Sequence, residues 1–266
     1  MSTPRIAKQI GRQAFGLDPA GYHGSRPDYP QWVYQTLCSR CGLSSGTMTF
    51  EIGAGTGRAT RRLLDLGAEP LIAVEPDPRL ADFLRRHNSD PALNVIVSAF
   101  EDAVLEPSVF DLGVSGTAFH WVEEEAALTK IALLLRPGGW WATFWNVFGD
   151  NSRPDPFHEA TKDMLAAPSS PSAGERGIPF GLDAETRLAA LRRSGAFDIV
   201  DTRMSTWPLI LNPDQTVALY ATYSNISVRS DREVVLAELG RIARDKFAGR
   251  VVRNMTTSLY IARRSA

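Results

Sequence analysis

Glu51-Ile52-Gly53-Ala54-Gly55-Thr56-Gly57 is the stretch whose reading decides the fold. Before it, Met48-Thr49-Phe50-Glu51-Ile52 read as a candidate strand that ends in the glycines. After it, Arg58 to Leu66 carry Ala59, Leu63, Leu64 and Leu66 at helical spacing, and Gly67 supplies a stop. Three glycines at every second position let the backbone pass close under a ligand with no Cβ in the way. The helix that follows aims its free N–H groups at the same place. Leu71 to Val74 read as a second strand, and it closes on Glu75 in Val74-Glu75-Pro76-Asp77. An acid at that position can accept both hydroxyls of an adenosine ribose, as it does in dinucleotide-binding units. A tight turn alone would explain the glycines. The strand before, the helix after and the acid ending the next strand together favour adenosine binding.

Working outward, strands and helices alternate. Pro78 to His87 read as a helix, Val95 to Val97 and Phe110 to Ser115 as strands, and Glu123 to Leu135 as a helix begun by three glutamates at its positive end. Trp140 to Phe144 read as a fifth strand. Such alternation implies a parallel sheet with helices on both faces. Residues 147–181 break the pattern with five prolines around one short helix near Pro156 to Ala166. A helix over Ala184 to Ser194 and a strand over Ile199 to Met204 then resume the sheet. Residues 213–248 read as two helical pieces, and Met255 to Ala262 as a closing edge strand. The arginines and Lys246 from Arg241 to Arg253 read as a solvated helix face plus a strand start, and Arg263 with Arg264 as a frayed end.

Composition narrows the function classes. The chain has 266 residues and 29.2 kDa, with 29 Lys+Arg against 30 Asp+Glu, a formal charge of -1. That balance argues against a dedicated nucleic-acid or anionic-membrane binder, which would show a basic excess. Cys38 and Cys41 are too few for a disulfide scaffold. They lack a nearby His or a second pair for a metal site and read as ordinary cysteines. Met1 to Phe15 show no apolar core of a signal peptide, and no apolar run approaches the roughly 18 residues of a membrane span. The expectation is a soluble, cytoplasmic protein without nucleic-acid or membrane partners.

The dinucleotide fingerprint Gly-x-Gly-x-x-Gly fails here, because its sixth position is Arg58, whereas Glu-x-Gly-x-Gly-x-Gly is satisfied completely. On that motif the sequence resembles the class I S-adenosylmethionine-dependent methyltransferases. It is most similar to the type 11 small-molecule group of trans-aconitate methyltransferase-like and ubiquinone-biosynthesis-type enzymes. Arg26-Pro27-Asp28-Tyr29-Pro30, Phe100-Glu101-Asp102, Ala118-Phe119-His120-Trp121 and Leu135-Arg136-Pro137-Gly138-Gly139 carry the same resemblance, over nearly the whole chain.

The resemblance implies an α/β, Rossmann-like, doubly wound, seven-stranded sheet, mostly parallel with the last strand antiparallel. All 266 residues would form one domain: a core of about 31–146, 182–210 and 249–266, and a mostly helical cap from 1–30, 147–181 and 211–248. It implies S-adenosyl-L-methionine as cofactor and S-adenosyl-L-homocysteine as its product. Glu51, Gly53, Ala54, Gly55 and Gly57 would surround the methionyl part, Glu75 would hold the ribose, and Pro76, Phe100 and Glu101 would line the adenine pocket. Many relatives carry an aspartate near Ala99 for the adenine amino group, and this chain does not.

The expected reaction is methyl transfer to a carboxylate or hydroxyl oxygen of a small metabolite. C- or N-methylation and an NAD(P)-dependent oxidoreductase on the same fold are the rivals. His120, at the carboxyl edge of the fourth strand, is the candidate catalytic base, with packing in the pocket wall as its plainer role. Tyr22, Arg26, Trp121 and Tyr223 are candidate substrate contacts, with Tyr220 and Phe148 as further walls and Arg229 as a partner for an anionic substrate. Trp140, Trp141 and Trp145 read as core.

Overall fold

The structure is a computed structural model that describes residues 6–148, 150, 152–166, 168–174 and 177–266. Met1 to Arg5, part of the stretch read as lacking a signal peptide, lie outside the described residues. Seven strands form one sheet: β1 (Thr47–Ile52), β2 (Ala68–Glu75), β3 (Leu93–Val97), β4 (Phe110–Gly116), β5 (Leu135–Val147), β6 (Phe197–Leu211) and β7 (Val251–Arg264). Their order is β3-β2-β1-β4-β5-β7-β6. The pairs among β1 to β5 are parallel, and β7 runs antiparallel to both its neighbours.

The crossover helices are α3 (Gln31–Cys41), α4 (Arg58–Asp65), α5 (Pro78–His87), α6 (Glu124–Leu134) and α8 (Ala184–Arg193). Their apolar stripes cover both faces of the sheet. On one face Leu128, Ile131, Ala190 and Leu191 pack over Phe50, Trp141 and Tyr260. On the other, Val33, Leu37 and Leu63 pack over Leu71, Leu112, Val114 and Phe144. Strands covered on both sides must be largely apolar on both sides, which is why Leu71 to Val74 of β2 reads as an apolar run. Local chemistry fixes the helix starts. Asp77 accepts from the Arg79 amide ahead of α5, with Pro78 as the first helical residue.

Three departures from the sequence reading stand out. The closing strand is interior, between β5 and β7's other neighbour β6, and the edge is β6 instead. Asp198, Asp201 and Arg203 on β6 are the charges that suit an open edge. The end of the chain is also no frayed tail. Arg263 Nε donates to the Gly138 carbonyl at 3.1 Å, and Arg264 Nη1 to that of Leu135. Finally, β6 and β7 pair over fourteen positions, from Phe197↔Arg264 to Leu211↔Val251, far beyond the short strands expected.

The remaining helices lie near the carboxyl ends of the parallel strands. They are α1 (Lys8–Ala14) and α2 (Pro19–Ser25) before the sheet, α7 (Pro156–Leu165) after β5, and α9 (Pro213–Ala221), α10 (Ser224–Ser227) and α11 (Arg232–Asp245) between β6 and β7. Phe157 of α7, Leu219 and Tyr220 of α9, Ile226 of α10, and Leu239 and Ile242 of α11 form a separate hydrophobic cluster with Val251. α9 opens on a reciprocal cap between Asn212 and Gln215. Among the described residues no helix is long and apolar enough to cross a membrane.

Candidate active site

The glycine loop leaves β1 with its backbone tied to β2, the Gly53 amide donating to the Val74 carbonyl at 2.8 Å. Gly53, Gly55 and Gly57 all hold left-handed backbone, with φ of 69°, 59° and 86°. They differ in what they face. A Cβ at Gly53 would lie 2.4 Å from Ala118 Cβ and one at Gly57 2.3 Å from Leu84 Cδ1, whereas one at Gly55 would meet open space. Gly53 and Gly55 therefore line the cavity below, while Gly57 sets the packing of α4 against α5 and lies outside its lining. Ala54 is buried and borders only a small side pocket with Glu51.

Glu75 braces this loop. One carboxylate oxygen accepts from the Gly55 amide at 2.8 Å and the other from the Asp77 amide at 2.9 Å. Glu51 accepts from Thr60 Oγ1 at 2.6 Å. Both carboxyls are almost fully buried, and that desolvation pushes each up to about 7.

A cavity of about 610 Å³ begins at Gly53, Gly55, Glu75 and Pro76. Phe100, stacked nearly parallel to Phe50 with centroids 6.2 Å apart, and Glu101 border the same end. Lys130 on α6 holds that wall in place, its ammonium donating to the carbonyls of Phe100 (2.6 Å), Glu101 (3.1 Å) and Ala103 (2.6 Å). The Glu101 carboxylate turns outward to Arg12 Nη2 of α1 at 2.8 Å. Arg12 also donates to the Trp121 carbonyl, and Lys8 to that of Val122 at 2.9 Å, so α1 is strapped across the cavity mouth.

His120 and Trp121 follow β4 in a short 3-10 turn and are both buried. Trp145 on β5 donates from its indole Nε1 to His120 Nδ1 at 3.2 Å. A neutral ring that accepts at Nδ1 carries its proton on Nε2, and Nε2 has no partner among the described residues. Burial holds His120 down at about 3, with help from the charges of Arg26 and Lys8, so the ring is neutral at physiological pH.

Beyond His120 the cavity continues between α2, α7, α9 and β7, where Tyr22, Arg26, Phe148, Tyr220, Tyr223 and Arg253 line it. The Arg26 guanidinium sits among three rings, 5.1 Å from Tyr22, 5.8 Å from Phe148 and 4.8 Å from Tyr223, and donates to the Thr222 carbonyl at 3.0 Å. All the expected contacts except Gly57, Glu51, Ala54 and Arg229 thus border this one cavity.

Several expectations are corrected. Arg229 does not reach the cavity lining. It pairs with Asp231 through two bonds of 2.7 and 2.8 Å. Trp145, read as core only, is buried and also lines the cavity as the partner of His120. Arg253, at the strand start that ends the basic run, is 2% exposed. Its Nε donates to Asp155 at 2.8 Å and its Nη1 to the Tyr220 hydroxyl. A cation between Val251, Val252 and the apolar run that follows was the available signal. Lys130 left none, since a lysine on an amphipathic helix reads as solvated.

Comparison with known proteins follows the same lines. Residues 50–143 match the model of the type 11 methyltransferase domain, a narrower span than the resemblance read along the chain. An uncharacterized methyltransferase of Schizosaccharomyces pombe is 34% identical over 145 residues, 54% of this chain and 56% of the relative. The chain thus spans about half the length of the curated relatives it matches. Among solved structures, a putative type II methyltransferase from Anaeromyxobacter dehalogenans has TM-score 0.62 and 20% identity, over 90% of this chain and 97% of that one. Phosphoethanolamine N-methyltransferase 2 of Haemonchus contortus, solved with phosphomonomethylethanolamine and S-adenosylhomocysteine, has TM-score 0.59 and 13% identity, over 96% and 60%. At these identities the two structures share the fold.

Proposed function

With residues 50–143 belonging to the class I S-adenosylmethionine-dependent methyltransferases, we propose that the protein methylates a small metabolite, at a carboxylate or hydroxyl oxygen, by in-line transfer. The observation that carries this reading is the single cavity running from Gly55 and Glu75 to Tyr223 and Arg253. Donor and acceptor can meet there side by side.

The residues fit the cofactor. Gly55 leaves open space where a Cβ would stand. Glu75 keeps unused lone pairs beside its two backbone bonds, as ribose hydroxyls require. Pro76 and Phe100 offer flat apolar walls for the adenine, and Glu51 and Arg26 border the side pocket suited to the methionyl end. When bound, the cofactor supplies an already activated methyl group.

The chain then has to position and desolvate. A carboxylate acceptor is ionised at neutral pH and needs no base. His120, held neutral with Nε2–H free, is suited to donate to an acceptor oxygen and orient it, and Trp145 fixes the ring. A hydroxyl acceptor would need His120 as its base, and a ring held at about 3 is a weak one. The helices of 1–30, 147–181 and 211–248 act as the cap that sets substrate choice.

The test is incubation of the full chain with methyl-labelled S-adenosylmethionine and a fractionated metabolite extract, alongside calorimetry with S-adenosylhomocysteine and NADH. Label transfer with S-adenosylhomocysteine binding is expected. Binding of NADH without S-adenosylhomocysteine would refute the reading.

A further inference from the structure

Two polar atoms at the cap end of the cavity are buried and unpaired. Tyr223 Oη and Arg26 Nε have no hydrogen-bond partner among the described residues. A buried hydroxyl or guanidinium N–H left unmade is costly, so each would gain from an acceptor that a bound ligand could bring. Arg253 adds a third donor. Its Nε and Nη1 are taken by Asp155 and Tyr220, while Nη2 has no partner among the described residues and the side chain lines the cavity. The nearby acid is spent. Asp155 accepts from Arg253 Nε, from the Asn254 amide at 3.0 Å and from the His158 amide at 2.7 Å. Arg26 has no carboxylate within ion-pair distance among the described residues. This end of the cavity therefore offers donors and an uncompensated positive charge. The rings of Tyr22, Phe148 and Tyr223 form an aromatic cage of the kind that can hold an amine, but Arg26 already fills it.

We propose that the methyl acceptor carries an anionic acid group, a carboxylate or a phosphate, that docks on the Tyr223 hydroxyl and the open edge of Arg253. Arg26, seated in the cage beside them, turns away amine acceptors. This rests on the methyltransferase reading and specifies the acceptor it leaves open.

The same donors could instead serve the carboxylate of the cofactor's own methionyl end, and the experiment separates the two sources. The full chain saturated with S-adenosylhomocysteine is titrated with benzoate, phenyl phosphate, benzamide and benzylamine, and affinity is read from thermal shift and calorimetry. Benzoate or phenyl phosphate is expected to bind about tenfold more tightly than benzamide, with benzylamine weakest. The tighter of the two anions identifies the acid. Tyr223→Phe removes an oxygen that no described residue uses, so the fold should tolerate it. It should weaken the preferred anion by about tenfold and leave S-adenosylhomocysteine binding unchanged.

Equal binding of benzamide or benzylamine, absence of binding by both anions, or an unchanged Tyr223→Phe variant would overturn the proposal. So would competition of benzoate with S-adenosylhomocysteine but not with 5′-methylthioadenosine, which assigns the donors to the cofactor. Wild-type protein that fails to bind S-adenosylhomocysteine at all would instead sink the methyltransferase reading.

Discussion

Gly11 gives the sharpest test of how α1 closes the site. It is an ordinary helical glycine, where alanine would normally stabilise by about 1 kcal/mol. Here an added Cβ would stand 2.2 Å from Trp121 Cη2 and 2.3 Å from Cζ3. Ordinary contact starts at 3.4 Å, so helix and indole must separate by about 1.2 Å. Trp121 cannot easily yield. It is 6% exposed, with Phe15 edge-on at 5.6 Å and His120 at 5.1 Å. Such overpacking costs about 1–3 kcal/mol, more than the helix gains.

The straps on α1 are weak enough to give first. Lys8–Glu123 and Arg12–Glu101 are partly exposed ion pairs of the kind worth about 0–1 kcal/mol each. Gly11→Ala should therefore lift α1 and leave the sheet intact. A net loss of up to about 2 kcal/mol in closure weakens S-adenosylhomocysteine binding by up to about 30-fold. Calorimetry measures the affinity, hydrogen exchange on the α1 amides reports the opening, and Ile10→Ala, at an exposed position of the same helix, is the control. A Gly11→Ala protein that melts higher and binds like wild type would show that α1 does not bear on Trp121 in solution.

Other outcomes follow from the same geometry. Glu75→Gln should weaken S-adenosylhomocysteine about 10- to 100-fold in calorimetry, since it removes a charged acceptor braced on two amides. Glu51 and Glu75 titrate at about 7 in the folded chain against 4.5 when exposed, so the folded state holds the extra protons between those values. The stability they contribute is present at low pH and lost as pH rises through about 7. Urea unfolding should lose about 1 kcal/mol per group between about pH 6.5 and 8.5. His120 acts in the opposite sense but below that window, and Glu75→Gln should flatten the slope. Lys130→Met should raise the KM for S-adenosylmethionine several-fold while kcat at saturation holds, because it frees three carbonyls of the Phe100 wall and touches no reacting atom. Equal loss of kcat would place Lys130 elsewhere in the reaction.

What could be read along the chain was what local chemistry fixes. The glycines had to take left-handed backbone for β1 to turn into α4, and Asp77-Pro78 had to open a helix. Sheet order is different in kind. Met255 to Ala262 mixes apolar residues with Thr256, Thr257 and Ser258, and nothing local says whether its two edges are paired. That depends on β5 and β6, far away in sequence. The basic residues failed for a related reason. Arg253 reads as part of a strand start and Arg263 with Arg264 as a frayed end, yet each finds carboxylate, phenol or carbonyl partners that only the folded chain supplies. Arg229 erred the other way, its nearest acid being two residues along.

The formal charge of -1 conceals a separation that matters more than the sum. The acids Glu51 and Glu75 stand at the glycine-loop end of the site and Arg253 at the cap end, while Arg26 borders both the main cavity and the side pocket beside Glu51. A sulfonium donor is cationic, so the acid end favours it, and the cap end favours an anion facing it. In a low-dielectric cavity both preferences act over several ångströms with little screening. Methyl transfer from a sulfonium to a carboxylate destroys one charge of each sign. A dry site should therefore favour the transition state over the separated ions, provided the protein first holds the ions together. On the proposed reading the two charged ends would do that holding, which would leave His120 and Trp145 the narrower task of aiming a single oxygen. Acceptors matched for size and for the methylated oxygen but differing in charge elsewhere should therefore separate chiefly in kcat/KM.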